Sequence, residues 1–447
     1  MLPSVVLLNP PGSRPWLRDG YCSLEGRRST RFHPMDLLVQ SGLLRDQARI
    51  TVVEAIGADL DGPAALRAVT AARPDLVLSL VGSTSAGEDA AFLGRIRDAL
   101  PDTRIVISGD LPQFEADGLD RFPAADAALL DFTAPDLLAT LDGGGSATWH
   151  RGTPRPARAR QGGRFRYGLP DYAAFPERNY RLPYRPGRIG SPLASFGCPF
   201  PCRFCNTSQV SWKVREVDDL LAELRWLGER CVRHAYIRDA TFGVDRAHRD
   251  AVLDGLLALP RPLTWNTFTR IDLHGQQDLQ RMARAGCRVL QLGLELPEAE
   301  RLRALHKPLH ADRVARAIGW AHEAGIAVCG HFLLGVPGLS VGEPSMAGDA
   351  DRDARQDAER VLRYALSLGC DYASFNVAAP RPGAPFRAAG GFLSPARAAT
   401  LQATTMRGFY THPRTVLRQL QRLRRPAEAV HIARQALALF SPRASSR

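Results

Sequence analysis

Short apolar runs alternate with helical patterns through the first third of the 447-residue chain. Continuous runs of Val, Ile and Leu are separated by stretches whose apolar residues recur at helical spacing. The predicted strands are Ser4–Leu8, Ile50–Val53, Leu76–Leu80, Arg104–Ser108 and Ala127–Leu130, and the predicted helices are Pro34–Leu43, Pro63–Ala72, Gly87–Leu100 and Ala134–Leu141. Uninterrupted apolar strands between helices are typical of a parallel sheet that is covered on both faces. The pattern therefore predicts a doubly wound α/β domain over residues 1–142.

A second β-then-α pattern occupies residues 191–385. The predicted strands are Ala235–Arg238, Thr264–Thr269, Val289–Leu294, Ala327–Leu334 and Tyr372–Val377, and the predicted helices are Asp218–Arg230, Arg246–Leu259, Asp278–Ala285, Ala311–Ala324 and Asp353–Leu368. Such a repeat predicts a parallel sheet with helices outside it. About six units, counted from the cysteine-containing stretch at Cys198 onward, are fewer than a closed eight-fold barrel has.

The two remaining stretches have weaker patterns. Residues 143–190 open with Gly143-Gly144-Gly145-Ser146 and continue rich in Arg, Pro and Gly without a sustained period, so we predict a linker. Residues 386–447 carry helical patterns over Ser394–Arg407 and Arg414–Phe440, which predict a helical C-terminal region. Within the second β-then-α pattern, Leu339–Asp351 is a Gly-, Ser- and Asp-rich insertion that we expect to be a mobile loop. It is either a lid over the substrate or a surface loop without a function.

Arginine supplies nearly all the positive charge of a chain whose net charge is +12, since Lys213 and Lys307 are its only lysines. The arginines are spread along the chain, which favours an ordinary charged surface over a basic patch, so we expect no nucleic-acid partner. Steering of an acidic electron donor or an anionic substrate is the alternative.

No apolar stretch approaches the ~18 residues of a membrane span. Met1–Pro10 is a strand-like run and lacks the basic flank of a signal segment. We therefore expect a cytoplasmic protein.

Three cysteines, Cys198, Cys202 and Cys205, lie four and then three residues apart in one short loop. Such a loop can curl three thiolates around one face of an iron–sulfur cubane, which usually has four cysteine ligands. One iron would then lack a protein ligand, and an open position is what a catalytic metal centre needs. A structural zinc loop or three unrelated thiols are the alternatives, but structural zinc takes four ligands and no second cysteine pair is present.

Cys198-x3-Cys202-x2-Cys205, with Phe204 before the last cysteine, resembles the cluster loop of the radical S-adenosylmethionine (SAM) enzymes. The resemblance implies a partial (βα)6 barrel and a 4Fe–4S cluster held by these cysteines, whose open iron chelates SAM. Reduction would then split SAM into methionine and a 5′-deoxyadenosyl radical. The other cysteines are expected to be buried reduced thiols: Cys22, Cys231, Cys287, Cys329 and Cys370.

The family's other motifs have counterparts at the ends of the predicted strands. By this resemblance Asp239 or Thr241 contacts the amino group of SAM, and Glu295 contacts its ribose or amino group. Arg270 could hold the SAM carboxylate, and Gly335 begins a Gly-x-Pro-Gly turn near the adenine. The alternative is that these residues bind nothing. A single charged residue at a strand end is as often simply exposed to solvent as bound to a ligand, and a Pro-Gly pair as often only makes a turn.

The loops after three strands of the first domain are short and hydroxyl-rich, and they contain Pro10, Ser83, Thr84 and Gly109. No GxGxxG fingerprint is present, so a nicotinamide dinucleotide is not expected. Placed before a radical SAM loop, this layout resembles the flavodoxin-like domain of the cobalamin-dependent radical SAM enzymes, which implies that these residues contact cobalamin. The Asp-x-His-x-x-Gly motif of other cobalamin proteins is missing, so no histidine is expected below the cobalt. A domain that binds nothing, or only substrate, is the alternative.

The combined resemblance is to the class B methylases of that family. It implies transfer of a methyl group to an unactivated carbon, or to phosphorus, in a small-molecule or peptide substrate, with electrons from a flavodoxin- or ferredoxin-type donor. The alternatives are a radical SAM cyclase or rearrangement enzyme without methyl transfer, and a non-catalytic cobalamin-binding module.

Overall fold

The computed structural model describes residues 1–21, 23–26, 31–156, 162–176, 179–182, 185, 187–338 and 350–421. The chain divides into two compact units. The N-terminal unit comprises Met1–Leu182, Gly187–Gly197 and Gln209–Arg230, and the C-terminal unit comprises Pro183–Pro186, Cys198–Ser208 and Cys231–Arg447. The predicted domain boundaries at residues 142, 190 and 385 stay predictions.

The N-terminal unit is built on a six-stranded sheet. Its first elements are β1 (Ser4–Asn9), β2 (Trp16–Arg18), β3 (Ser23–Glu25), α1 (Met35–Leu43), β4 (Arg49–Glu54), α2 (Gly62–Ala71), β5 (Leu76–Val81), α3 (Ala86–Ala99), β6 (Arg104–Gly109), α4 (Asp110–Phe114), β7 (Ala127–Leu129) and β8 (Thr148–His150). The sheet has the order β4-β1-β5-β6-β7-β8, and all neighbours are parallel except β7 and β8. Strands β2 and β3 form a separate antiparallel hairpin.

The hydrophobic pattern explains this arrangement. Every residue of β1 and β5 is buried, as expected for strands covered on both faces. Helix α2 begins where predicted because the side chain of Asp61 accepts a hydrogen bond from the backbone N–H of Ala64 at 2.8 Å. Side chains from strands and helices meet in one apolar cluster that includes Val6, Val77 and Phe92.

The prediction of one helix in this unit is wrong. Ala134–Leu141 was expected to be helical, but only a 3-10 turn at Leu138–Asp142 forms. The Asp136 carboxylate instead accepts hydrogen bonds from Ser146 Oγ at 2.7 Å and from the N–H of Ala147 at 2.8 Å. These bonds turn the chain back so that β8, which we assigned to the linker, adds to the sheet.

Part of the predicted linker is folded as well. Strands β9 (Arg164–Phe165), β10 (Ser195–Phe196) and β11 (Lys213–Arg215) form a small sheet, followed by helix α5 (Val217–Glu229). The side chain of Arg215 joins β11 to α5. It is fully buried and paired with the equally buried Glu223 of α5. The hydroxyls of Tyr167 and Tyr172 also donate to Glu223, at 3.0 and 2.5 Å.

The C-terminal unit is a repeating β-then-α structure. Its elements are β12 (His234–Ile237), α6 (Arg246–Leu257), β13 (Thr264–Thr269), α7 (Gln276–Arg284), β14 (Cys287–Glu295), α8 (Ala299–Ala304), α9 (Ala311–Glu323), β15 (Ala327–Leu334), α10 (Ala350–Ser367), β16 (Tyr372–Val377), α11 (Pro395–Tyr410) and α12 (Pro413–Gln421). The five strands pair in sequence order and all are parallel. A (βα)6 barrel was predicted, whereas this sheet has five strands among the described residues. The strand before the cysteines, β10, pairs with β11 instead.

The two faces of the C-terminal sheet differ. On one face Phe332 and Phe375 stack with ring centroids 5.4 Å apart, and Phe409 of α11 packs edge-on against Phe375 at 5.9 Å. On the other face, alternate positions such as His331 and Ser374 are only half-buried. One side of the sheet therefore carries the core, and the other can receive a ligand.

Two predictions fall partly outside the described residues. Most of the insertion Leu339–Asp351 does so, and α10 begins at Ala350. Of the predicted helix Arg414–Phe440, only the part within α12 is described. Among the helices that the structure describes, none has both the length and the apolar character needed to cross a membrane.

Replacing Arg215 by Met is predicted to lower the stability of the N-terminal unit by about 3–5 kcal/mol, because it leaves the buried Glu223 carboxylate without its cation. Chemical denaturation followed by circular dichroism measures this cost. The double variant Arg215→Met with Glu223→Leu should recover much of it. Arg164→Met is the matched control, since that arginine is 60% exposed in its pair with Glu216 and should cost only about 0–1 kcal/mol. An equal cost for the two arginines would contradict this assignment.

Candidate active site

The cysteine loop is anchored to distant parts of the C-terminal unit. The backbone N–H of Arg203 donates to the carbonyl of Leu305 at 3.1 Å, and the N–H of Phe386 donates to the carbonyl of Arg203 at 2.9 Å. Within the loop, the N–H of Cys205 donates to the carbonyl of Cys202 at 3.1 Å and forms a tight turn. These bonds fix the backbone from Cys202 to Cys205.

The three sulfur atoms have different surroundings. Cys198 Sγ lies 3.3 Å from the Thr241 hydroxyl, and Cys205 Sγ accepts a hydrogen bond from the N–H of Thr207 at 3.4 Å. Burial raises the pKa of Cys202 to about 11, although Lys307 and Arg270 act in the opposite direction. Burial also raises the pKa of Cys198. Binding of a cation to these sulfurs must therefore displace their protons.

The donor set fits an iron–sulfur cluster. In the described part of the chain, no three His, Cys, Asp or Glu side chains are placed to hold a single metal ion. Cysteines that ligate a cubane each bind a different iron, so their sulfurs need not converge on one point. Three thiols on one loop, with the Thr241 hydroxyl near Cys198, a backbone donor at Cys205 and the charges of Lys307 and Arg270 acting on Cys202, meet that requirement.

Four predicted SAM residues lie at the carboxyl ends of the strands as expected. Asp239 and Thr241 follow β12 and are buried. Arg270 follows β13, pairs with Asp272 at 2.7 Å, and places its guanidinium carbon 4.3 Å from the ring centroid of Phe200 in the cysteine loop. Glu295 ends β14.

A bulge in the sheet sets the direction of Glu295. The β14–β15 register shifts between Gly293 and Glu295, and Glu295 has a φ of +56°. Its carboxylate accepts a hydrogen bond from Lys307 Nζ at 2.7 Å, and both side chains are only 8% exposed. Bulges redirect side chains next to functional sites.

Sequence reasoning did not single out Lys307. Its ammonium lies 5.7 Å from the ring centroid of Phe204, the aromatic residue before the last cysteine. The one sequence feature that could have drawn attention to Lys307 is that the chain contains only two lysines.

Gly335, the remaining residue that we predicted to lie near SAM, follows β15 and has a φ of +59°. A Cβ atom there would lie 2.8 Å from Leu393 Cδ1. The left-handed conformation favours glycine at this position.

A row of neutral polar groups lies on the sheet face opposite the Phe332–Phe375 stack. His331 Nε2 is 3.3 Å from Gln291 Oε1, and its ring centroid is 4.7 Å from that of Phe268. Burial lowers the pKa of His331 to about 4, and Lys307 adds to the effect, so the imidazole is neutral at pH 7. On the same face, Nδ2 of Asn266 is buried without a hydrogen-bond partner among the described residues, while its Oδ1 lies 2.8 Å from His234 Nε2.

The predicted cobalamin residues share the carboxyl edge of the N-terminal sheet. Pro10 follows β1, and its carbonyl accepts a hydrogen bond from Arg18 at 3.0 Å. Ser83 and Thr84 follow β5, where Ser83 Oγ donates to Asp110 at 2.6 Å. Gly109 ends β6 with a φ of +151°, and a Cβ atom there would overlap the Val81 carbonyl.

Buried charges at this edge were not foreseen. Arg18 and Asp89 form a fully buried ion pair at 2.7 Å. Asp36, at the start of α1, is also fully buried, with Ser108 Oγ 2.5 Å from its carboxylate and the N–H of Gly20 donating to it at 3.2 Å. Burial raises the pKa of Asp36 to about 7, and repulsion from Asp19 adds to the rise.

A cavity of about 410 Å³, counting the space open to solvent, lies beside β1 and β4 in the N-terminal unit. Its lining includes Asn9, Arg18, Glu54 and Tyr180. Most of this volume is space open to solvent, and the enclosed part is much smaller than a corrinoid. A cobalamin would therefore have to lie over the open carboxyl edge, where the small residues Ser83, Thr84 and Gly109 leave room for it.

The other cysteines are mostly as expected. Cys287, Cys329 and Cys370 are free and buried, but Cys231 is exposed, so the expectation of a buried thiol is wrong there. Its φ of +61° places it in a turn before β12 rather than in the core. Cys22 lies outside the described residues.

Residues 193–349 match the Radical SAM superfamily model. The chain therefore contains a radical SAM domain, and the prediction of a radical SAM enzyme is confirmed. An uncharacterized methyltransferase of Pyrococcus horikoshii is 22% identical over 371 residues, which cover 78% of this chain and 76% of that protein.

Solved structures give the same architecture. The radical SAM methyltransferase TsrM of Kitasatospora setae, with cobalamin and a 4Fe–4S cluster bound, has a TM-score of 0.67 at 18% identity over 87% of this chain and 77% of TsrM. The cobalamin-dependent SAM radical enzyme OxsB has a TM-score of 0.62 at 15% identity over 81% of this chain and 52% of OxsB. The predicted fold class is confirmed.

The stability of the N-terminal unit is predicted to fall as pH rises toward 7. With its pKa raised to about 7, folded Asp36 keeps a proton that the unfolded chain, at an ordinary pKa of 3.8, has lost. Its stabilising contribution is complete below pH 4, declines by at most ~1.4 kcal/mol per pH unit, and levels off above pH 7.

Denaturation of the cobalamin-free chain at pH 5, 6, 7 and 8 tests this slope. Asp36→Asn should flatten it, whereas Asp98→Asn, at an exposed position on α3, should leave it unchanged. Asp110, whose pKa burial raises to about 6, contributes a smaller slope of the same sign in every variant. Identical pH profiles for wild type and Asp36→Asn would contradict the assignment.

Proposed function

We propose that this protein is a cobalamin-dependent radical SAM methyltransferase that acts on an unactivated carbon or phosphorus centre. The observation that carries the proposal is the three-cysteine loop inside the radical SAM match, preceded by a doubly wound unit. The TsrM-like fold and the methyltransferase among the relatives support methyl transfer in particular.

In this proposal Cys198, Cys202 and Cys205 hold three irons of a 4Fe–4S cluster. The Thr241 hydroxyl donates to the carbonyl of Ala240 at 2.8 Å, and its oxygen lies 3.3 Å from Cys198 Sγ. The N–H of Thr207 donates to Cys205 Sγ and offsets part of the negative charge of that thiolate. When bound, the cluster and SAM supply a hydrogen-abstracting radical, and cobalamin supplies the methyl carrier.

The SAM site is proposed at the carboxyl ends of β12 to β15. Asp239 would receive the amino group and Arg270 the carboxylate of the methionyl part. Glu295 would meet the ribose or the amino group with the carboxylate oxygen that Lys307 does not occupy. The turn at Gly335 would lie along the adenine, since a residue without a side chain permits close approach of a flat ring.

Cobalamin is proposed to lie against Pro10, Ser83, Thr84 and Gly109, which share one edge of the N-terminal sheet. Ligands of doubly wound sheets bind beyond the carboxyl ends of the strands. At pH values below its pKa of about 7, Asp36 is a neutral acid beneath this edge and can donate as well as accept hydrogen bonds. We assign this role to residues 1–142.

The substrate is proposed to be a small molecule or peptide that presents neutral polar groups. Gln291, the neutral imidazole of His331 and the unpartnered amide nitrogen of the fully buried Asn266 lie on the face of the C-terminal sheet opposite the Phe332–Phe375 stack. A charged substrate would find no counter-charge among these three groups. The aromatic ring of Phe268 can pack against an apolar part of the substrate.

The electron donor is proposed to be an acidic flavodoxin or ferredoxin in a reducing cytoplasm. The net charge of +12 would attract such a partner. A second candidate function is a radical rearrangement without methyl transfer. It is favoured by the likeness to OxsB, which is described as a cobalamin-dependent SAM radical enzyme and not as a methyltransferase.

Cys202→Ala is predicted to lose cluster iron and to abolish formation of 5′-deoxyadenosine, because one of three ligands is removed. Iron analysis and product assay after anaerobic reconstitution measure both. Cys231→Ala is the matched control, since this cysteine is exposed and lies outside the loop. Deoxyadenosine formation by Cys202→Ala at the wild-type rate would rule out the proposed cluster site.

Reconstitution with iron, sulfide and hydroxocobalamin, followed by incubation with reductant and methyl-labelled SAM, tests the reaction itself. We expect 5′-deoxyadenosine, S-adenosylhomocysteine and label in the substrate fraction. Deoxyadenosine alone would favour the rearrangement. Neither product, in a protein that carries a cluster, would overturn both candidates.

A further inference from the structure

Two buried cations lie on the two aromatic residues of the cysteine loop. Arg270 is placed 4.3 Å from the ring centroid of Phe200, between Cys198 and Cys202, and Lys307 is placed 5.7 Å from that of Phe204, between Cys202 and Cys205. Distances below about 6 Å permit cation–π attraction. Each cation also has an acidic partner, Asp272 for the arginine and Glu295 for the lysine.

The lysine pair is the more deeply buried of the two. Lys307 and Glu295 are each 8% exposed, against 9% and 23% for Arg270 and Asp272. The fold makes room for the pair at Gly293, where a Cβ atom would overlap both Lys307 Nζ and the Glu295 carboxylate. The bulge between Gly293 and Glu295 then turns the carboxylate toward the ammonium.

Burial of two charges costs free energy that a pair of apolar residues would avoid. Burial lowers the pKa of Lys307, but attraction to Glu295 and then to Cys202 more than offsets this, so the pKa is raised and the amine keeps its proton. The attraction is mutual, since Lys307 lowers the pKa of Cys202 against the larger effect of burial. A permanent positive charge is thus held close to the cysteine loop.

We propose that Lys307 is a positioning residue that holds a fixed positive charge against the cysteine loop and raises the reduction potential of the cluster bound there. This inference rests on the proposed function. A cluster gains one negative charge when it accepts an electron. A neighbouring cation stabilises that form more than the oxidised form, and the effect is strong where water is excluded. Glu295 moderates the effect and fixes where the ammonium lies.

Redox titration of the reconstituted cluster in the absence of SAM, followed by electron paramagnetic resonance, is the test. Lys307→Met should lower the equilibrium constant for reduction at least tenfold, which for one electron is about 59 mV. Lys307→Arg should restore most of the loss. Lys213→Met is the matched control, because it removes the other lysine of the chain, which pairs with Asp131 in the N-terminal unit.

Glu295→Gln provides an independent arm if Lys307→Met fails to assemble a cluster. It keeps the cation and removes its partner, so the potential should shift upward. The inference is overturned if Lys307→Met and wild type have the same potential, if Lys213→Met shifts as much, or if Glu295→Gln shifts downward.

Failure of the inference is distinguishable from failure of the proposed function. A wild-type protein that carries a cluster and cleaves SAM, with a potential insensitive to Lys307, would refute only the role of the lysine. A wild-type protein without a cluster would refute the function as well. Omitting SAM from the titration excludes a lysine that acts only by binding the SAM carboxylate.

Discussion

The cysteine loop depends on hydrogen bonds to parts of the chain that are far away in sequence. It has almost no regular structure of its own, so the positions of its sulfurs are set from outside. Asn206 is buried beside the loop and donates to the carbonyl of Pro382 at 3.1 Å, across 176 residues. With the bonds of Arg203 to Leu305 and Phe386, this interaction ties the loop to much later parts of the C-terminal unit.

Buried ion pairs are the second recurring feature. Arg18–Asp89, Arg215–Glu223, Arg301–Asp357 and Lys307–Glu295 are all nearly or fully buried. Such pairs add little net stability compared with apolar packing, but removal of one partner is costly. They therefore fix geometry more than they stabilise the fold. Two of them lie beside the proposed ligand sites, at the edge of the N-terminal sheet and next to the cysteines.

The sequence pattern predicted the strands well because burial on both faces leaves a continuous apolar signature. The ends of β5, β13 and β16 agree with the prediction to within a residue. The pattern failed where single polar contacts decide the outcome. Asp136 diverts a helical sequence into a turn, and β8 is too short to show a period. The cysteine loop was identified because three spaced cysteines are rare.

Only part of the candidate site could be predicted from the sequence, because the side chains that surround the cysteines come from distant parts of the chain. Thr241 was named as a candidate contact of SAM, which stays a prediction, and it lies beside Cys198. Lys307 was not named, because nothing local indicates that a lysine after α8 meets a carboxylate at the end of β14. The polar row with the buried Gln291 and the half-buried His331 was hidden for the same reason, because alternation along one strand does not tell which face packs against the helices.

Because of the bulge at the end of β14, the number of residues in that strand decides where the Glu295 carboxylate lies, and not only how the strand packs. One extra residue between Gly293 and Glu295 changes which side of the sheet the carboxylate faces. A relative that lacked this extra residue would direct its acid toward the helices and leave the neighbouring amine alone. Within such a lineage, the acid, the amine and the irregular strand end would be gained or lost together.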